Sequence, residues 1–167
     1  MEIKLATNED ATIINSIVEN TINEIYPIYL SQANINFFLD LHKKENIIKD
    51  IENENVWAFQ YNGITFATAT CTGNLVKRLF ILPSFQSNGY GSAIMSFFED
   101  KISENYNSII VEATVSSINF YIKRNYYTIK NVQMDIGNNK ILYFERLQKD
   151  LTKEGWKIYE KRRKSCR

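Results

Sequence analysis

The chain has 167 residues, 44% of them hydrophobic and 23% charged, the proportions of one globular domain large enough to bury its own core. Its 20 Lys and Arg against 19 Asp and Glu remove the electrostatic motive for binding nucleic acid or an anionic membrane, and point instead to a small-molecule partner. Cys71 and Cys166 form no Cys-x-x-Cys pair, which argues against a zinc centre or a redox motif, and no apolar run approaches the roughly 20 residues of a membrane span.

The first six residues lack the basic start and apolar core of a secretion signal, so the expected compartment is the cytoplasm. Thr7-Asn8-Glu9-Asp10 reads as a capping box ahead of Ile14, Ile17, Val18, Ile22 and Ile25, a helix ending near Tyr26-Pro27. Ser31 caps a second helix carrying Ile35, Phe38 and Leu41, and Ile47, Ile48 and Ile51 continue the spacing in a third. Two strands, Val56–Tyr61 and residues 64–71, flank Asn62-Gly63, a strong hairpin signal; Cys71 is expected as a small buried hydrophobe. Thr72-Gly73-Asn74 turns the chain into a strand over 75–82.

A helix follows the next loop, with Ala93, Ile94, Phe97, Phe98 and Ile102 on one stripe and Glu99, Asp100 and Glu104 facing water. Ile109-Ile110-Val111 reads as a strand covered on both faces. A short helix around Asn119 to Arg124 ends at Asn125, where a left-handed backbone is expected. Strands over 126–136 and 141–147 close the domain around Gly137-Asn138-Asn139. We place the domain at 1–149 and a basic helical tail at 150–167, with Leu151, Trp156 and Tyr159 on its apolar side. The tail ends in Lys161-Arg162-Arg163-Lys164-Ser165-Cys166-Arg167; docking, dimerisation or an acidic partner are its open roles.

The chemistry concentrates where the strand over 75–82 runs through Pro83, Gln86, Gly89, Tyr90 and Gly91 into a helix. Gly at two nearby positions lets backbone amides converge, and the first helical turn adds free N–H groups and a positive dipole end, so the junction suits a phosphate. A dinucleotide loop fails because Ile94 stands at its third glycine, and a Walker loop fails for want of a Lys-Ser or Lys-Thr pair.

The pattern apolar-x-apolar-x-Pro-x-x-Gln-x-x-Gly-x-Gly, carried by Leu79, Ile81, Pro83, Gln86, Gly89 and Gly91, resembles the coenzyme A loop of the GCN5-related N-acetyltransferases. Phe120-Tyr121 followed by Tyr126 resembles their Phe-Tyr-x-x-x-Gly-Phe segment, with Asn125 in the glycine place. Thr114 departs from the Asn often found seven residues before that Tyr. The resemblance extends to about Leu147 and implies an α/β fold: a mixed, twisted sheet of about seven strands flanked by helices, with strands four (75–82) and five (109–113) splayed. It implies that acetyl-CoA is the cosubstrate, with no metal. The amides of Gln86, Ser87, Asn88, Gly89, Tyr90, Gly91 and Ser92 would hold the pyrophosphate. The exposed backbone of Phe80, Ile81 and Leu82 would hold the pantetheine arm, with Asn119 and Tyr121 completing the donor contacts.

Direct attack of an amine on the thioester, within a ternary complex, expels a thiolate whose conjugate acid titrates near about 8.5, while a phenol titrates near about 10. Tyr121 can therefore protonate or hydrogen-bond the leaving sulfur. The attacking ammonium, near about 10.4, must first lose a proton; Glu112 and Glu24 are the candidate bases. Tyr26, Tyr29, Phe38 and His42 lie where the family builds its acceptor groove, and the Tyr-Pro and Leu-His of this region resemble a bacterial subgroup. The acceptor is expected to be a small-molecule or peptide amine, and a homodimer is left open. The rival readings are a non-catalytic acyl-CoA sensor on the same scaffold and an interaction protein working through its basic tail.

Overall fold

The computed structural model describes residues 1–137 and 139–152, so the expected tail helix lies outside the described residues. Seven strands form one sheet in the order β1-β2-β3-β4-β5-β7-β6: β1 (Glu2–Leu5), β2 (Val56–Tyr61), β3 (Ile64–Thr72), β4 (Leu75–Ile81), β5 (Ser108–Ala113), β6 (Tyr127–Asp135) and β7 (Ile141–Asp150). Every neighbouring pair is antiparallel except β4 and β5. The splayed mixed sheet is therefore present, and its central feature is how little β4 and β5 share. Their pairing is confined to Leu75↔Ile110 and Val76↔Val111.

Five α-helices flank the sheet: α1 (Ala11–Ile25), α2 (Gln32–Leu41), α3 (Lys44–Glu52), α4 (Tyr90–Ser103) and α5 (Ile118–Lys123). On one side α1, α2 and α3 bury Ile14, Ile17, Ile22, Ile35 and Ile47 against Ala58, Phe80 and Leu142. On the other, Ile94, Met95, Phe98 and Ile102 of α4 pack with Phe59, Phe66, Ile109, Val111 and Tyr126. Two cores on the two faces of one sheet follow from strands that send alternate side chains each way.

The local signals act largely as expected. Ser31 Oγ accepts from the Asn34 amide (3.4 Å), and Asn125 takes φ 68 after α5. The Asp10 carboxylate accepts from the Thr7 amide (2.9 Å), though Thr7–Asp10 opens a 3-10 turn and α1 begins only at Ala11. Burial alone would raise the Asp10 carboxyl, but hydrogen bonds from Lys4 and the Thr7 amide hold it below its ordinary value.

Four details differ from the sequence reading. The edge strand β1 does not emerge from the pass along the chain, because four residues are too few to display a period and Leu5 stays 41% exposed. Met95 faces the core in place of Ala93, which is exposed. Ile110 is half-buried between buried Ile109 and Val111, so β5 is fully covered on one face only. Cys71 is half-buried, not buried; desolvation pushes its thiol up to about 11, which keeps it protonated and unreactive. At the far end β7 runs to Asp150 and the Leu151 amide donates to the Asn107 carbonyl (2.9 Å). No described helix is long and apolar enough to cross a membrane.

Candidate active site

The glycine junction is built on an aromatic base. Phe66 of β3 stacks on Phe85 (4.8 Å between centroids) and packs against Tyr90 (4.6 Å), so the 3-10 turn Pro83–Phe85 and the first residue of α4 rest on one ring. Between them Ser87 and Gly89 take left-handed φ of 63 and 82. Gly89 occupies the N-cap of α4 with no side-chain cap, and no acidic residue stands in the first turn. The amides there are left to a ligand, and nothing negative competes with an anion.

Side-chain amides in the loop are turned inward onto its carbonyls. Asn88 Nδ2 donates to the Gln86 carbonyl (3.0 Å) and Gln86 Nε2 to the Ile81 carbonyl (2.8 Å). Gly91 serves a different need. A Cβ on it would meet Phe120 Cζ at 3.3 Å and Ile81 Cδ1 at 3.5 Å, so its bare backbone lets α4 approach α5 and β4 together. Gly91→Val is expected to cost about 1–3 kcal/mol of stability by overpacking, and to weaken anion binding at the loop; thermal melts with and without CoA measure both.

The expected backbone contact with the donor narrows to one residue. The Leu82 amide donates to the Phe66 carbonyl (2.9 Å) and Phe80 pairs with Thr68, so both turn toward β3. Alternation then sends the N–H and C=O of Ile81 away from β3, toward the gap that β5 leaves. The Ile81 carbonyl accepts from Gln86 and from Thr21 Oγ1 of α1 (3.2 Å). Phe80 and Leu82 thus shape this edge through their side chains, and Ile81 alone offers it backbone.

Beyond the gap, Tyr121 is buried on α5 with its ring 5.0 Å from Phe120 and 5.4 Å from Tyr126. Tyr26, just past α1, is buried in the opposite core, 5.1 Å from Phe38 and 6.3 Å from Phe80. The Tyr26 hydroxyl is hydrogen-bonded to Thr114, the residue just past β5, so it reaches the end of that strand. Burial, with Tyr26 a lesser cause, drives the Tyr121 hydroxyl well above its ordinary range. Burial likewise pushes Tyr26 up to about 12, opposed by the Thr114 hydroxyl. Both remain protonated donors.

His42 closes α2, stacked 5.9 Å from Phe38 and edge-on to Phe80 at 5.4 Å. Its Nδ1 accepts from Arg78 Nε (3.1 Å), which leaves the proton of the neutral ring on Nε2. Desolvation, then the charges of Arg78 and Lys77, push it down to about 3.

The remaining candidates are dispersed. Tyr29 is 50% exposed beside the 3-10 turn Tyr26–Ile28, and Asn119 is exposed on α5. Glu24 lines an open cavity of about 670 Å³ with Asn20, Asn23, Leu82, Pro83 and Ser84, at the end of β4. Glu112 faces the α1–α3 side of β5 and is ion-paired with Arg146, its cross-strand partner on β7. The two candidate bases therefore differ in surroundings, Glu24 facing an open cavity and Glu112 held by an arginine. Among the described residues no group of three or more His, Cys, Asp or Glu could hold a metal ion.

Thr21, Phe66 and Arg78 support the site without having been singled out in the sequence. Thr21 had a readable signal: it is polar at a position on the buried stripe of α1.

The family model of the acetyltransferase (GNAT) domain matches residues 26–141, well over half of the chain. The chain belongs to the GNAT acetyltransferases, and is an acyltransferase of that family. Among solved structures it resembles a GCN5-related N-acetyltransferase from Rhodopseudomonas palustris, with a TM-score of 0.81 at 15% identity over 89% of this chain and 94% of that one. The PaiA N-acetyltransferase from Thermoplasma acidophilum, in complex with coenzyme A, gives 0.67 at 13% identity over 89% of this chain and 98% of that one. YncA from Salmonella typhimurium, with its cofactor acetyl-CoA, gives 0.65 at 14% identity over 92% and 95%. No curated protein matches the chain.

Proposed function

We infer that the protein transfers an acetyl group from acetyl-CoA directly to a primary amine, both bound at once. The observation that carries this reading is the gap itself: β4 and β5 part after Val76, and strand alternation turns the Ile81 N–H into the opening. The CoA and acetyl-CoA complexes among the structural relatives support the donor.

In this reading the amides of residues 86–92 hold the pyrophosphate, and Ile81 engages the pantetheine arm. Tyr121, kept protonated by burial and held among Phe120 and Tyr126, donates a hydrogen bond to the departing thiolate. The amine approaches from the α1–α3 side, past Tyr26, Phe38 and neutral His42, with Tyr29 and Asn119 at the margins. Glu24 is the better base candidate, because it faces an open cavity where water can relay a proton. Glu112 is engaged by Arg146.

Native mass spectrometry of the full chain with CoA, and thiol release from acetyl-CoA across a panel of polyamines, amino acids and peptides, test the two halves of the reading. Retention of CoA and thiol release with at least one amine are expected. A chain that fails to bind CoA at millimolar donor ends the proposal.

A further inference from the structure

Lys77 and Arg78 interrupt the apolar run of β4, and they mark the place where its ladder slips. Lys77 opposes Thr70 and Phe80 opposes Thr68, so Arg78 and Leu79 together stand against Ala69 alone: a β-bulge, two residues beyond the last β4–β5 pair. Arg78 takes φ 54 there, a left-handed backbone that residues with a Cβ adopt at a cost of about one order of magnitude in population.

Its side chain is 6% exposed and tied down at three points. The guanidinium pairs with Asp50 of α3, donates to Thr70 Oγ1 of β3 (3.3 Å), and gives its Nε–H to His42 Nδ1 at the end of α2 (3.1 Å). Three elements thus converge on the one residue whose backbone is unfavourable. A one-residue slip reverses the faces of everything after it. The bulge is what puts Phe80 into the α1–α3 core and turns the Ile81 backbone to the gap.

We propose that Arg78 is a positioning residue: its anchorage on Asp50 and His42 holds the β4 bulge, and through it the opening that presents Ile81 to the donor. The donor half of this statement rests on the acetyl-CoA reading above; the clamp itself does not.

Glycine and valine at position 78 both lose the guanidinium, but glycine adopts a left-handed backbone freely and valine does not. Amide exchange of a peptide covering residues 76–82, followed by mass spectrometry on folded protein, reads the bulge directly; CoA binding reads its use. In Arg78→Val, exchange is expected to be about tenfold faster than in the parent, and in Arg78→Gly within about threefold of it, with CoA affinity falling in the same order. Loss of a charge or of packing alone predicts no advantage for glycine, so equal exchange in the two variants, or faster exchange in glycine, overturns the clamp. Should Arg78→Val fail to fold, Asp50→Asn removes the charged anchor and should still speed exchange of that peptide; unchanged exchange overturns the clamp. Ordered exchange in a protein that binds no CoA upholds the clamp and removes the donor reading instead.

Discussion

Tyr121→Phe is expected to lower kcat by about 10²–10⁴-fold while leaving CoA affinity within about threefold of the parent, because it deletes a proton and keeps a ring. The ring rests against Phe120 and Tyr126 at 5.0 and 5.4 Å, contacts that phenylalanine reproduces, so stability should barely change. Burial holds the hydroxyl protonated well past its ordinary value, so its own ionisation should not appear in a kcat profile at neutral or mildly alkaline pH. Steady-state kinetics alongside CoA titration separate the readings. Unchanged kcat would make Tyr121 a core residue with its hydroxyl merely satisfied. In a non-catalytic acyl-CoA sensor, parent and variant would both bind CoA without turnover.

Acid should weaken the fold well before ordinary carboxylates titrate. His42 titrates near 6.5 when unfolded and near 3 when folded, so between those values the unfolded chain binds more protons and stability falls as pH falls. The loss should reach about 2 kcal/mol between pH 6.5 and about pH 4.5. Arg78 and Lys77 face the ring as charges and Asp50 reaches it through Arg78, so the same cluster that clamps the bulge excludes a second cation. The Asp10 contribution has the same sign but begins only below its ordinary value of 3.8, which keeps the two windows apart. Denaturant unfolding of the parent and His42→Gln at matched pH measures the effect. The glutamine variant should show a flat limb in that window, and an equal slope in both proteins would place the acid sensitivity elsewhere.

The geometry of the glycine junction was legible because it is local. Pro83, Gln86, Gly89 and Gly91 lie within nine residues of one another, and each acts through its own backbone or an immediate neighbour, as the φ of Gly89 and the Gln86 bond to Ile81 show. The hairpin at Asn62-Gly63 and the left-handed Asn125 were readable for the same reason. One long-range feature did leave a trace: two consecutive charges break the apolar run of β4 where the bulge falls. Nothing local, however, says which partners will hold such a residue.

What the sequence determined by itself, then, is the fold family, the periodicities that build two cores on one sheet, and the turn where a phosphate can rest. These depend on contacts within a few residues or on a pattern repeated along an element. Tertiary structure alone decided that Tyr26 bonds Thr114 at the end of β5, that Ile81 and not its neighbours turns its backbone away from β3, and that Arg78 draws on α2, α3 and β3 at once. Each of these joins residues tens of positions apart, and no spacing in a chain encodes which way two strands will separate.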